Sequence, residues 1–187
     1  MGSPEKVLLE RARQFERQAL AEIYDQYSQG IYTYAARLLG DVDLAEECVA
    51  ETFSRFLHAL HAGKGPGSYL QAYLYRIAHN WITDQYRRRP PPSESLEEEI
   101  HLSDDLPPEQ QVVERIRAEQ VRAALYHLTP DQRQVVVLKF LQGWNNEQVS
   151  QSLEKPVGAV KSLQHRALNA LRRMLLTTET EDHETVR

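Results

Sequence analysis

The chain has 187 residues, 41% of them hydrophobic and 26% charged, with a formal net charge of −5. That length suits one domain or two small ones, the apolar share supports packed cores, and the negative sum argues against a general nucleic-acid coat protein. A single cysteine, Cys48, excludes an internal disulfide framework and fits a reducing cytoplasm; no stretch has the apolar core of a signal peptide or the length of a membrane span.

The charges are not spread evenly. Residues 1–89 hold 11 basic and 11 acidic side chains, residues 90–112 hold seven acidic and no basic ones, residues 113–176 hold ten basic and five acidic, and the tail 177–187 nets −3. A mixed N-terminal domain is thus separated from a basic C-terminal one by an acidic, proline-flanked linker, expected to stay extended because it has too few apolar residues to bury and too much charge to collapse. Nucleic-acid binding would concentrate on one face.

Along the N-terminal domain the periodicity is helical. Leu8, Leu9, Ala12 and Phe15 fall at helical spacing, followed by Leu20, Ile23, Tyr24 and Tyr27; a second helix carries Ile31, Tyr34, Ala35 and Leu38 and ends at Gly40. Asp41 or Asp43 caps a third helix with Ala45, Cys48, Val49, Phe53, Phe56, Leu57 and Leu60 inward. Lys64-Gly65-Pro66-Gly67-Ser68 reads as a loop, and from Tyr69 a fourth helix runs through Tyr73, Ile77 and Ile82 into Arg87-Arg88-Arg89, where three prolines stop it. No segment alternates at period two for long enough to form a strand. The expected fold is all-α: two small helical domains, 1–89 and 113–176, joined by the linker 90–112 and followed by a flexible tail at 177–187.

The C-terminal domain carries the clearest motif. Thr129, Pro130 and Asp131 mark a helix start, and Val135, Val136, Leu138 and Leu141 form an apolar run stopped by Gly143. Asn145 or Asn146 caps a second short helix with Val149 and Leu153; Glu154-Lys155-Pro156 breaks it; Val157 opens a third with Val160, Ala167, Leu168 and Leu171 inward. Two short helices, a tight break and a longer basic helix make a helix-turn-helix with its last helix sized for the major groove. Lys161 and His165 share a face, with Ser162 and Arg166 beside them.

This segment resembles region 4 of bacterial RNA polymerase sigma factors, at Gln132-Arg133, Leu138, Gly143, Glu147, Leu153, Gly158, Val160-Lys161-Ser162 and His165-Arg166-Ala167. It departs at Ser150 (usually Ala), at Glu154 (usually the Gly of the turn) and at Leu163-Gln164 (usually Arg-Leu); the acidic turn and the missing arginine should weaken phosphate attraction. Residues 19–41, the helix from Asp41 to Leu57 and the segment Tyr69–Arg89 independently resemble sigma region 2, with Ala50 in place of the family's Gln. The order region 2, linker, region 4 is that of an extracytoplasmic-function sigma factor of the sigma-70 family.

The resemblance implies a transcription initiation factor with no cofactor. Its partners would be core RNA polymerase, through clamp helices and flap, promoter DNA, and an anti-sigma factor. Polymerase docking would fall on Asp43, Glu46, Glu47 and Glu51, which on a lone helix would read simply as a solvated face. The −10 element would be melted and held by Arg76, Asn80, Trp81, Asp84, Arg87 and Arg88, with Lys64 and Ser68 in the loop. Aromatic rings there offer stacking, Asn and Asp directional hydrogen bonds, and Arg phosphate contacts; the bland alternative packs Trp81 in the core. The −35 element would be read by Lys161, Ser162, His165 and Arg166, with Lys155 in the turn. The linker would thread through the polymerase; read from its composition alone it is equally a solvated spacer that sets the distance between the two domains.

An enzyme is not expected. No strand hosts a glycine-rich phosphate loop, and His58 and His61 lack the further ligands a metal needs. Two other readings stay open at this point: a sigma-like interaction protein whose promoter recognition has degenerated at Ala50, Glu154 and Leu163, and an ordinary helix-turn-helix repressor, which would need no region 2.

Overall fold

A computed structural model describes residues 4–88 and 108–184, and among them every regular element is helical. Helices α1 (Pro4–Arg13), α2 (Arg17–Leu39), α3 (Val42–His61) and α4 (Leu70–Arg88) form a first unit; α5 (Pro108–Tyr126), α6 (Pro130–Val136), α7 (Asn146–Leu153) and α8 (Val157–Glu184) form a second. Among the described residues, no helix is long and apolar enough to cross a membrane. Most of the acidic linker, including the stretch expected to be extended, lies outside the described residues.

The helix boundaries follow local chemistry. Gly40 ends α2 with φ 67° and returns its N–H to the Ala36 carbonyl, and the Asp41 carboxylate then accepts from Leu44 N at 2.8 Å to start α3. Thr129 with Gln132 and Asn145 with Gln148 form reciprocal capping boxes on α6 and α7. Past α6 the chain widens into one π-helical turn at Val137–Leu141, where Gln142 N reaches the Val137 carbonyl, and Gly143 at φ 71° ends it.

Four expectations about the elements change. The first break falls at Phe15, in the left-handed region at φ 56°, so that Phe15 is exposed against the His61 ring instead of facing inward. Beyond it α2 is continuous through Gly30. The second unit opens at Pro108, not at 113, with proline in the first turn that spares its missing N–H. At the other end, α8 continues to Glu184 through the segment expected to be a flexible tail; no glycine or proline after Gly158 interrupts it.

Gly30 has a specific reason to lack a side chain. A Cβ there would stand 2.6 Å from the hydroxyl of Tyr75, which is buried on α4. Helix propensity alone would make Gly30→Ala stabilising by about 1 kcal/mol, whereas overpacking against a buried ring costs about 1–3 kcal/mol. The clash should win, and urea denaturation should show a lowered midpoint for Gly30→Ala.

Helix α4 is the centre of the molecule. Leu70, Leu74, Ala78, Trp81 and Ile82 are buried with the first unit's core, while Ala72, Tyr75 and Tyr86 meet the second unit. There the Ser152 hydroxyl donates to the Ala72 carbonyl at 3.3 Å, Trp144 packs 4.9 Å from the Tyr75 ring, and Tyr126 lies 5.2 Å from Tyr86. Arg133 sits with its Cζ 4.1 Å from the Tyr86 ring centre, and Arg37 donates to the Leu141 carbonyl at 2.6 Å. The two units therefore pack directly on one another.

Candidate nucleic-acid interface

What α4 leaves uncovered is a polar stripe. Tyr73, Arg76, Asn80, Asp84 and Arg87 recur at three- and four-residue steps and are half-buried or exposed; Arg88 is exposed beside them. Arg87 donates to the Asp84 carboxylate at 3.3 Å, and the Arg76 guanidinium lies 5.3 Å from the Tyr73 ring centre. Trp81 belongs elsewhere. It is 5% exposed, so the stacking role expected of it is corrected here: the indole faces the core, one step round the helix from the polar stripe.

The loop before α4 forms the wall of a cleft of about 330 Å³. Lys64, Gly65, Pro66, Gly67 and Ser68 line one side, together with Tyr69, Tyr73 and Arg76, and Gln151 and Glu154 of the second unit contribute to the lining of this open cleft. Lys64 and Ser68 are exposed, while Pro66 is buried and its carbonyl accepts from Arg13 at 2.7 Å, which ties the loop to α1. The loop and the N-terminal end of the stripe, Tyr73 and Arg76, thus meet around one cavity, whereas Asn80, Asp84, Arg87 and Arg88 are not part of its lining. Tyr69 and Gln151 were not among the sequence candidates. Tyr69 is over half exposed with φ 57° at the mouth of α4, and Gln151 joins only through the folding of the second unit onto the first.

On α8, Val160, Leu163 and Ala167 point into the second unit's core, and Lys161, Ser162, His165 and Arg166 occupy the exposed face. Their own contacts stay within the helix: Ser162 to the Gly158 carbonyl at 3.1 Å, Arg166 Nε to the Ser162 carbonyl at 3.4 Å, and His165 Nδ1 3.3 Å from the Asn169 amide. This leaves their outer polar atoms directed at solvent. Leu163 is a core residue, so it does not mark a vacant DNA-contacting arginine on this face. Lys155 is half-buried, and its ammonium pairs with Asp131 at 3.2 Å.

Glu154 holds the turn between α7 and α8 in the left-handed conformation at φ 53°, where glycine is the favoured residue. Its carboxylate forms a salt bridge with Arg76 across the boundary between the units.

The acidic candidates lie on the opposite side of α3 from its buried Cys48, Thr52 and Phe56. Asp43, Glu46 and Glu47 are exposed, as is Ala50, whereas Glu51 is half-buried and accepts from Arg55 Nε at 2.7 Å. Phe53 and Phe56 are buried, in line with the core role read from the sequence, whereas Leu57, expected inward with them, is exposed at the edge of that face.

Behind these surfaces lies a polar core at the unit boundary. The buried Arg133 donates from Nε to the Leu125 carbonyl at 2.8 Å and from Nη2 to the Tyr126 and Leu128 carbonyls, both at 2.9 Å. The Tyr34 hydroxyl and His79 Nδ1 are 2.7 Å apart. Burial and, second to it, the Arg133 charge push the His79 pKa down to about 3, so the ring is neutral at physiological pH. Burial likewise pushes the Cys48 thiol up to about 12, which leaves it unreactive.

Two helical units in this order, the second a helix-turn-helix with a basic exposed face, define a DNA-binding protein of the transcription-factor class. Residues 23–90 match the family described as Sigma-70 region 2, and residues 118–171 the family Sigma-70, region 4. The ECF RNA polymerase sigma factor BldN of Streptomyces coelicolor is 33% identical over 174 residues, which are 90% of this chain and 64% of that protein. SigX of Bacillus subtilis, also an ECF RNA polymerase sigma factor, is 28% identical over 169 residues, 87% of each chain. The fold is shared with CnrH, solved in complex with the cytosolic domain of CnrY (TM-score 0.65, 22% identity, 92% of this chain and 97% of that one). It is shared also with the sigma factor RpoE of Bartonella quintana, solved with the anti-sigma factor NepR (TM-score 0.55, 23% identity, 85% and 95%). The chain belongs to the extracytoplasmic-function sigma factors of the sigma-70 family.

Proposed function

We propose that this protein directs core RNA polymerase to specific promoters in the cytoplasm, performing no chemistry of its own. The first unit docks on the polymerase clamp helices through Asp43, Glu46 and Glu47, with Glu51 contributing once released from Arg55. It melts the −10 element and holds one strand on the stripe Arg76, Asn80, Asp84, Arg87 and Arg88, with Lys64 and Ser68 closing over an unstacked base. The second unit meets the polymerase flap and reads the −35 duplex with Lys161, Ser162, His165 and Arg166, and Lys155 approaches phosphate at the turn. The single observation that carries this reading is the pairing, in one chain, of a solvent-facing basic recognition helix on α8 with a polar stripe and loop cleft on α4. An anti-sigma factor that restrains the protein is part of the same reading, after the partner of the Bartonella quintana structure.

Polymerase docking gives the first test. Glu46 and Glu47 are exposed on a helix whose opposite face is fixed in the core, so Glu46→Lys/Glu47→Lys should leave the fold intact. Charge complementarity governs encounter and register, and the reversal should weaken capture of core polymerase about tenfold or more in a pull-down, with unchanged circular dichroism. Undiminished capture would remove the acidic face of α3 from the interface.

A further inference from the structure

We infer that α1 holds the loop 64–68 in the shape that single-stranded DNA meets, with Arg13 and Glu5 as positioning residues for selection of the −10 element. This rests on the assignment of that loop to single-stranded DNA made above, and adds to it the residues that set the loop's conformation. Both lie upstream of the region 2 match, which begins at residue 23.

A loop with glycine on both sides of Pro66 has much backbone freedom to lose, so its shape must be imposed from outside. Helix α3 fixes the entrance. The N–H groups of Gly63 and Lys64 donate to the Leu60 and Ala59 carbonyls at 3.0 and 2.8 Å. Gly65 is wedged against the same helix, where a Cβ would stand 2.6 Å from Leu60 Cδ2. The middle and the exit are held from α1. Arg13 Nη2 donates to the carbonyl of the buried Pro66 at 2.7 Å, and Glu5 Oε1 accepts from Leu70 N at 3.3 Å.

The Glu5 contact supplies what the sequence before α4 lacks. Tyr69 immediately precedes the helix, and a phenol is not among the short side chains that cap free amides. A carboxylate from another helix takes that role and complements the positive end of α4. Tyr69 is thereby held at φ 57° with its side chain in the lining of the cleft. Helix α1 is a firm support for both anchors. Leu8, Leu9 and Ala12 are buried in the first unit, and Arg11 clasps Glu16 through Nε at 2.8 Å and Nη2 at 2.5 Å across the turn into α2. A loop already in its binding shape loses less freedom when a strand arrives, and discrimination between bases needs contacting groups held to within about 0.5 Å. The two anchors therefore act on which sequence is held more than on how tightly DNA as such is held.

The test uses the full chain assembled with core RNA polymerase. The holoenzyme selects from fork-junction templates whose duplex part is fixed, taken from the DNA upstream of the protein's own gene, and whose single-stranded −10 segment is randomised; bound and unbound templates are sequenced. Arg13→Met and Glu5→Met remove one anchor each, Arg13→Lys and Glu5→Gln keep a donor or an acceptor, and Arg17→Met, at an exposed position that starts α2, controls for the lost charge. Hydrogen exchange of peptides spanning residues 63–70 is followed in the free proteins, together with the thermal midpoint. Arg13→Met should lower enrichment of the preferred bases about three- to tenfold, the scale of one hydrogen bond from a charged donor. Glu5→Met should act in the same direction, the two conservative variants should recover most of the selection, and Arg17→Met should select as the wild type does. Exchange in the loop should quicken in both methionine variants with little change in the midpoint. Wild-type selection by Arg13→Met would overturn the inference. So would a loss that is uniform across sequences with a shallower salt dependence, which is the signature of a direct phosphate contact. If the wild-type holoenzyme enriched no sequence, the fault would lie with the assignment of the loop to DNA; exchange would still decide the tie to α1, since an unchanged rate in Arg13→Met would overturn it.

Discussion

Replacing Arg133 with methionine is expected to cost about 3–5 kcal/mol of folding stability, the scale for breaking a buried charged network. The side chain is 4% exposed and satisfies three carbonyls at the end of α5 and in the turn to α6, while its guanidinium face lies on Tyr86 of the first unit. Methionine fills similar volume but takes the side-chain donor from the Tyr126 and Leu128 carbonyls, each then carrying a desolvation cost, while the Leu125 carbonyl keeps only the Leu128 N–H at 3.2 Å. A domain's whole stability is about 5–15 kcal/mol, so the loss removes a large share of it and should lower the unfolding midpoint strongly. Arg133→Lys should recover only part of the loss, since an ammonium cannot reach three acceptors and stack on a ring at once. Urea denaturation followed by circular dichroism measures both; a loss under about 1 kcal/mol for Arg133→Met would contradict this view of the residue.

Acid should destabilise the protein through His79. The folded ring has its pKa pushed from the ordinary 6.5 down to about 3, by burial first and by Arg133 second. The unfolded chain therefore binds a proton that the folded one refuses. Stability contributed in this way is full above about pH 6.5 and declines as the pH falls from there toward about 3, on the order of 1 kcal/mol per pH unit. His79→Asn, which keeps a polar partner for Tyr34 but cannot titrate, should be less stable at neutral pH and should flatten the decline by about one proton. Equal slopes for the two proteins between pH 6 and 4, about the middle of that window, would show that His79 is not the group responsible.

The parts of this molecule legible in the sequence are those decided within a few residues. The two capping boxes, the Asp41 cap, the stops at Gly40 and Gly143 and the buried face of α3 all follow from local donors, acceptors and spacing. Leu163 was legible too, by a different route. Val160, Leu163 and Ala167 follow the helical period of a core face, and comparison with the family's usual arginine obscured it. What stayed hidden depends on contacts distant in sequence. The reason for a glycine inside α2 at position 30 is the approach of Tyr75 from α4, and the burial of Trp81 depends on how α4 is turned within the core. Part of the cleft's lining comes from far along the chain, brought there by contacts such as Ser152–Ala72, whose partners are 80 positions apart. No periodicity encodes such a pairing. The acidic stripe of α3 was legible as a solvated face; its use as a docking surface was legible only through family resemblance.

Run-off transcription with purified core RNA polymerase, on a template carrying the DNA upstream of the protein's own gene, measures most directly whether this chain confers promoter specificity. A discrete transcript should appear only when the protein is added. It should disappear with Glu46→Lys/Glu47→Lys, whose defect lies in polymerase docking, and with Lys161→Ala/Arg166→Ala, whose defect lies in duplex reading. If no transcript appears on that template or on a library of promoter fragments, although core polymerase is captured normally, promoter-directed initiation by this protein is contradicted.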